Sequence, residues 1–136
     1  MPTVSTPVDA TTTPAWGALQ KHHDQLVEGG IDLKGWFAAD PDRVSKLSFE
    51  VGDLYFDLSK NLITDETVKL LADLGRAVNL EERRDAMYAG VHINTTEDRA
   101  VLHTALRRPK DQVGTVMVDG QDAVADVHEV LDRMYA

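Results

Sequence analysis

Three oxygen-bearing side chains, at Asp57, Ser59 and Asn61, have the spacing of the first ligands in a calcium-binding loop. Such a loop also needs glycine at its sixth position and a bidentate glutamate at its twelfth, where this sequence has Leu62 and Val68. Because both of these demanding positions fail, the pattern argues against calcium binding. We expect the three side chains to satisfy backbone groups in the connection between a strand and a helix.

The five histidines are the other residues that could bind a metal. His22 and His23 are adjacent, so on a helix they point in different directions and cannot bind one ion from the same side. His23 and His128 fall on apolar stripes, and His103 falls within an apolar run. We interpret these imidazoles as hydrogen-bonded core residues, and we predict no metal and no other cofactor.

Familiar catalytic signatures are missing from the sequence. It has no cysteine, no serine in a Gly-x-Ser-x-Gly elbow and no phosphate-binding glycine loop. Acidic pairs at residues 65–66 and 81–82 fall in first helical turns, where negative charge is favoured by the helix dipole. Asn94 begins a glycosylation sequon, but its simpler role is to cap the helix that follows. We therefore predict no catalytic, cofactor-binding or metal-binding residue in this chain.

The elements that surround these residues begin with a tail and a helix. Residues 1–13 are rich in Thr and Pro and bury too little apolar surface to offset the entropy of ordering, so we expect a flexible tail. Thr13 caps a predicted helix that begins at Pro14 and stops at residues 29–30, both glycine. The face of this helix predicted to be buried contains Trp16, Leu19, His23, Leu26 and Val27.

The middle of the chain changes from helical to alternating spacing. Trp36 and Phe37 predict a short helical turn, and Pro41 begins another. Apolar residues then alternate on both sides of Gly52 and Asp53, which predicts a two-stranded hairpin with a type II′ turn. Since an isolated hairpin is marginally stable, we expect helices to cover its apolar face. That face contains Phe49, Val51, Leu54, Phe56 and Leu58.

Two helices are predicted after the hairpin. The first begins at a Thr64 cap, with the acidic residues of its first turn favoured by the helix dipole. Its predicted buried stripe contains Val68, Leu71, Leu74 and Val78. The second helix restarts at Asn79 and is closed by Gly90.

The C-terminal part of the chain predicts two further helices. Residues 97–106 have little polar face, so we predict that this helix is the most buried element. Residues 116–118 predict a short extended piece before a turn at residues 119–120. The last helix spans about residues 122–135, and its predicted buried residues are Val124, Val127, Leu131 and Met134.

Size and charge limit the classes of protein to consider. The chain has 136 residues, a length that suits one domain. Its net charge of −9 disfavours nucleic acid or an anionic membrane as the main partner. Because the sequence has neither an apolar run long enough to span a bilayer nor a secretory signal, we expect a cytoplasmic protein.

Four collinear motifs resemble one enzyme family. The runs DLSKNLITDET (residues 57–67) and HINTTEDRAVLHTALR (residues 92–107) are similar to stretches of the glucose-6-phosphate isomerase (phosphoglucose isomerase) family. Two shorter runs, FAADPDR (residues 37–43) and FEVGDL (residues 49–54), match in order and spacing. The resemblance covers nearly all of residues 14–136.

The resemblance implies a fold class and a place in a larger chain. The expected fold is mainly α with a short two-stranded β hairpin, as the N-terminal helical part of an α/β/α sugar-isomerase (SIS) fold. Residues 14–136 would be that helical segment, truncated before the sugar-phosphate site, and residues 1–13 the flexible tail. The abrupt ending at Met134, Tyr135 and Ala136 also looks truncated.

The family's activity is implied only for a full-length protein. Family members interconvert glucose 6-phosphate and fructose 6-phosphate, in glycolysis and gluconeogenesis, without a metal or redox cofactor. Their catalytic groups lie beyond the point where this chain stops, so His92, Glu97 and His103 are assigned no catalytic role. The implied partners are the remainder of the isomerase chain, through its first SIS domain, and a second subunit of a homodimer.

Three hypotheses about the chain itself follow. The first is a structural segment of the isomerase that is inactive alone and exposes an apolar patch through which it could self-associate. The second is an autonomous binding or interaction module derived from the isomerase N-terminus. The third, an enzyme active as it stands, requires a phosphate anchor and a positioned base, which the motifs do not supply.

Overall fold

The computed structural model describes residues 4–136 as short helices and two small antiparallel hairpins. In the first half of the chain these are α1 (Pro14–Glu28), α2 (Leu33–Ala39), α3 (Arg43–Lys46), β1 (Ser48–Val51), β2 (Leu54–Asp57) and α4 (Asp65–Ala77). In the second half they are α5 (Leu80–Tyr88), β3 (Met117–Val118), β4 (Gln121–Asp122) and α6 (Ala123–Tyr135). The predicted class, mainly α with a two-stranded hairpin, is confirmed, and the second hairpin is an addition to it.

The chain divides into two compact units. One unit is Val8–Val78, and the other contains residues 79–136 together with the described residues 4–7. Each unit is described separately below. Within residues 4–136, every helix is too short or too polar to cross a lipid bilayer.

Helix α1 has the predicted boundaries. The Thr13 hydroxyl accepts a hydrogen bond from the Trp16 amide at 3.2 Å, and Pro14 occupies the first turn, where a missing N–H costs nothing. At the other end, the Gly29 amide donates to the Gln25 carbonyl at 3.0 Å. Gly30 follows with a φ of +77°, a conformation that glycine adopts without strain.

The packed faces of α1 and α4 differ from the predicted ones. Thr64 and Thr67 form a reciprocal capping box, and the Thr67 hydroxyl also lies 2.8 Å from Nε2 of His22. This bond turns the Thr67 side of α4 toward α1, so Val68 and Leu71 are exposed although Leu74 and Val78 are half-buried as predicted. In α1, His23 occupies the exposed side and is not a core imidazole, and Trp16 and Val27 are likewise exposed.

Arg43 is a buried cation at the start of α3, with 5% of its surface exposed. The guanidinium carbon lies 5.2 Å from the ring centroid of Trp36 and 5.5 Å from that of Phe37, both in α2. Aromatic faces attract a cation, and the attraction strengthens as water is excluded. The predicted helical turn at Trp36 and Phe37 therefore forms one wall of a site for this side chain.

Three backbone carbonyls form the other wall of the Arg43 site. The Arg43 guanidinium donates to the oxygens of Ser59 (2.8 Å), Asn61 (3.0 Å) and Ile63 (2.9 Å). A planar fork of fixed donors suits such an arrangement better than the single ammonium of lysine. Arg43 thereby fixes the course of the chain between β2 and α4.

The predicted hairpin forms with the predicted turn. Phe49 pairs with Phe56 and Val51 with Leu54, and Gly52 has a φ of +59° while Asp53 does not enter the left-handed region, as a type II′ turn requires. The two phenyl rings stack with centroids 5.1 Å apart. The expectation that helices cover this face is wrong for residues 4–136, because all four of its strand side chains are exposed.

The second unit begins with α5 as predicted. Asn79 has a left-handed φ of 56° before the helix, and Gly90 has a φ of 77° after it. At Gly90 a β-carbon would lie 2.8 Å from Cγ2 of Val118 and 2.9 Å from Cγ1 of Val116, closer than real contacts allow. Gly90 therefore serves both the left-handed turn and the close packing of β3 and the residue before it.

The predicted helix over 97–106 is wrong. Asn94 and Arg99 instead exchange two backbone hydrogen bonds of 3.1 Å, and Asp98 between them has a left-handed φ of 49°. The Asn94 side chain accepts from the Thr96 amide and hydroxyl, a local pairing that competes with helix formation. The segment ends in a 3-10 turn at Ala105–Arg107. Its apolar residues reach the core without the periodicity of a helix.

The core of this unit lies where the first turn of α6 meets the segments before it. It is formed by Ala105, Val116, Ala123 and Val124, with Leu102 and Val118 packed against them. Asp122, near the predicted start of the last helix, caps α6 by accepting from the amides of Val124 and Ala125. Because this core supports only the beginning of the helix, Met134 in the last turn is exposed, contrary to prediction.

Part of the predicted tail makes specific contacts. The amide and hydroxyl of Ser5 each donate to the Glu82 carboxylate at 2.9 Å, and Arg83 donates to the Ser5 carbonyl at 3.2 Å. Ala10–Thr12 form a 3-10 turn. Residues 1–3 of the predicted tail lie outside the described residues, and the flexibility of the tail stays a prediction.

Replacing Arg43 tests its structural importance. Arg43→Leu is expected to lower the free energy of unfolding by about 2–4 kcal/mol, because three carbonyls lose their donor in a buried site. Urea denaturation measures this change. Arg76→Leu is the control, since Arg76 pairs with Asp73 on the surface, where an ion pair contributes less than about 1 kcal/mol. Equal losses in the two variants would contradict the buried role of Arg43.

Two valines of α6 test the placement of the core. Val124→Ala is expected to lower the free energy of unfolding by about 2 kcal/mol, because Val124 is fully buried. Val130→Ala makes the same chemical change on the same helix where the side chain is 46% exposed, and should cost less than about 1 kcal/mol. Urea denaturation of both variants compares them, and a larger loss for Val130→Ala would show that α6 is rotated from this position.

Candidate functional site: a histidine cluster, two cavities and an apolar face

His92 is hydrogen-bonded to a carboxylate through each of its two ring nitrogens. Its Nδ1 lies 2.9 Å from a carboxylate oxygen of Asp98, and its Nε2 lies 3.2 Å from one of Asp119. Both aspartates have left-handed backbone conformations, with φ of 49° and 52°, in turns that bring their side chains to the imidazole. The hydrogen bond to Asp98, and next the negative charge of Asp119, raise the pKa of His92 above its ordinary 6.5.

The remaining histidines have separate structural surroundings. His22 bonds to Thr67, and Nε2 of His128 lies 2.9 Å from the Arg108 carbonyl, so the predicted core role is correct for His128. It is wrong for His103, which is exposed, and for His23, which pairs with its neighbour on the surface. Across residues 4–136, no three His, Asp or Glu side chains meet as candidate metal ligands.

Of the three residues with calcium-loop spacing, Asp57 uses its side chain, whereas Ser59 and Asn61 contribute backbone carbonyls and not the predicted side-chain bonds. Asp57 accepts a 2.8 Å hydrogen bond from the Ser59 amide and lies 3.2 Å from the Lys60 ammonium. Hydrogen bonds from Ser59, followed by that from Lys60, lower the pKa of Asp57 to about 2. Ser59 is fully buried, and its carbonyl, like that of Asn61, accepts from Arg43. For Asp57, the predicted backbone role is confirmed.

One cavity, of about 640 Å³, lies in the unit that contains residues 79–136. Its walls are residues 4–7, 89–92, 95 and 117–120, and most of them are apolar. Among these described residues there is no lysine or arginine, and the Asp119 carboxylate is one of the walls. Phosphate groups are commonly paired with lysine or arginine, and the described walls of this cavity offer a carboxylate instead of either cation.

A second cavity, of about 480 Å³, shares His92 and Asp119 with the first. Three carboxylates line it, those of Glu97, Asp98 and Asp119, against a single guanidinium from Arg99. This balance of charge repels a phosphate dianion. That the chain supplies no catalytic residue stays a prediction.

Apolar side chains are exposed in a pattern that suggests contact with other protein. We call Phe49, Val51, Leu54 and Phe56 the hairpin face, because strand register places all four on one side of β1 and β2. Their exposed fractions are 48%, 59%, 63% and 38%. Val68 and Leu71 form a further exposed pair on α4. The exposed apolar surface expected from the sequence therefore includes the hairpin face and the Val68–Leu71 pair.

Sequence reasoning missed Arg43. The signal was present, since Arg43 ends the FAADPDR motif and its three acceptors lie in or beside the SKN segment of the DLSKNLITDET motif. The two motifs therefore form one contact site. Backbone carbonyls leave no mark in a sequence, however, and nothing in the residue types identifies which arginine they bind.

The His92 cluster predicts a pH dependence of stability. Because the pKa of His92 is raised in the folded state, its contribution is complete below the unfolded value of 6.5 and is lost as the pH rises through the folded pKa. His92→Asn should therefore destabilise the chain more at pH 5.5 than at pH 8.5. Urea denaturation at both pH values measures the difference. His103→Asn is the control on an exposed histidine, and a His92→Asn effect that grows with pH would contradict the assignment.

The chain matches a phosphoglucose isomerase family model over residues 57–136, which is more than half of its length. It is 64% identical over 133 residues to the glucose-6-phosphate isomerase of Bifidobacterium longum, covering 98% of this chain and 24% of that relative. It is 59% identical to the enzyme of Mycobacterium avium, with coverage of 98% and 24%, and 60% identical to that of Mycobacterium tuberculosis, with coverage of 94% and 22%. The chain thus spans about a quarter of the length of these curated relatives. With more than half of its residues matched by the family model, the chain belongs to the phosphoglucose isomerase family.

Proposed function

We propose that this chain is a structural segment of a glucose-6-phosphate isomerase, an enzyme that interconverts glucose 6-phosphate and fructose 6-phosphate. The observation that carries the proposal is 64% identity along 98% of the chain to a relative of which it spans only 24%. In this proposal, a carboxylate base outside these residues moves a proton between C2 and C1 through an enediol. The protein works in the cytoplasm, in glycolysis and gluconeogenesis.

The segment contributes packing rather than chemistry. Its two cavities with His92 in their walls are apolar or acidic, so they do not supply the positive field that a hexose phosphate needs. Its exposed apolar residues instead suit contact with the remainder of the isomerase chain, through its first SIS domain. The complete enzyme is proposed to be a homodimer.

A chimera tests this function. The matched residues of the Bifidobacterium longum isomerase are replaced by this chain, and interconversion of the two hexose phosphates is measured. We expect a kcat/KM within about tenfold of the parent enzyme, because the segment supports the site without contacting the reacting atoms. The same relative with these residues deleted is the control and should be inactive.

Two results would contradict the proposal. One is a folded chimera, with the secondary structure of the parent enzyme, that has no isomerase activity. The other is turnover by the pure 136-residue chain that a single substitution in it abolishes, since this would make the chain an enzyme by itself.

A further inference from the structure

The hairpin face is a preformed apolar platform with a polar reverse side. Register places Phe49 opposite Phe56 and Val51 opposite Leu54 on one side. The stacked phenyl rings, 5.1 Å apart and inclined by 13°, hold the platform in shape. The reverse side alternates with it and contains Ser48, Glu50, Tyr55 and Asp57.

A two-stranded hairpin with this pattern requires a cover. Each strand has only four residues, and such a ribbon is marginally stable unless other structure packs on it. An antiparallel ribbon that is apolar on one side and polar on the other is typical of a sheet packed on one side only. The Leu58 amide donates to the Leu47 carbonyl at 2.8 Å, so the hairpin base is anchored while its apolar side stays exposed.

We propose that the hairpin face docks against the part of the isomerase chain that lies outside these 136 residues. This inference rests on the proposed function and specifies the surface through which the segment acts. About three-quarters of the length of the Bifidobacterium longum relative lies outside the matched region, so a large covalently linked partner is available. Linkage supplies a high effective concentration, and a small apolar contact then suffices.

A second copy of this chain is a poorer occupant. The four exposed side chains offer on the order of 400 Å², half of the roughly 800 Å² that each partner buries in a standard stable interface. Two copies would also bring together chains that each have a net charge of −9, and this repulsion opposes association. The size and the charge therefore favour docking within one longer chain.

Adjacent residues of β2 provide a matched test. Leu54 and Tyr55 are 63% and 62% exposed in this structure but point to opposite sides of the hairpin. The chain contains no cysteine of its own, so Leu54→Cys and Tyr55→Cys introduce one thiol each. Both are made in the chimera with the Bifidobacterium longum isomerase, and the reaction of each thiol with a maleimide is followed on its peptide by mass spectrometry.

The expected result is that Cys labelling at position 54 is at least about tenfold slower than at position 55, because only the hairpin face is covered in the complete enzyme. Equal labelling rates would overturn the proposal, whether or not the chimera is an active isomerase. If labelling at position 54 is slow but the chimera is inactive, the result counts against the proposed function and leaves the docking of the hairpin face supported.

Threonine substitutions give an independent measurement with a residue that favours strands at both positions. Leu54→Thr in the chimera should lower the Tm by about 3 °C or more, and Tyr55→Thr by less than half of that shift. Light scattering of both variants identifies the occupant. An unchanged subunit number supports docking within the chain, whereas dissociation caused by Leu54→Thr alone would assign the face to a partner subunit and overturn the proposal.

Discussion

The first unit depends on one buried guanidinium. Within residues 4–136 the hydrogen-bond partners of Arg43 are carbonyls and not carboxylates, so its charge is stabilised by three carbonyl dipoles and two aromatic faces. Because a buried cation is costly without such partners, the chain can close around Arg43 only when both walls are in place. The path of the chain from Trp36 to Ile63 therefore forms as a single cooperative arrangement.

This arrangement connects two of the motifs that resemble the family. Ser59, Asn61 and Ile63 contribute their backbone carbonyls, and residues on either side of them fix the ends of the segment. Asp57 secures the turn through the Ser59 amide, and Thr64 begins α4. These local contacts together fix the course of the chain from β2 to α4.

The sequence predicted elements best where a local signal decides the structure. Thr13, Thr64 and Asp122 cap their helices, and Gly52 allows the hairpin turn, because each effect needs only neighbouring residues. Buried faces were less predictable, since the Thr67–His22 contact, and not apolar spacing, turns α4. The segment after Asn94 is not a helix because Asn94 and Arg99 pair through their backbones, with Asp98 in a left-handed conformation between them.

The candidate site was predictable only in part. Exposed apolar surface was expected because the chain resembles one segment of a larger protein, but its location was not predicted, since helices were expected to cover the hairpin face. The pairing of His92 with Asp98 and Asp119 brings together residues 6 and 27 positions apart. Two left-handed backbone conformations create that proximity. Both occur at aspartates, whereas glycine is the residue from which a left-handed conformation is usually predicted.

Gly90 has a consequence for how this segment can evolve. Every missense change at its codon adds a β-carbon, and that carbon would meet two valine methyl groups at 2.8 and 2.9 Å in a backbone conformation that already disfavours side chains. Relief would require coordinated replacement of Val116 and Val118, which a single nucleotide change cannot provide. Position 90 is therefore restricted to glycine by backbone conformation and packing together.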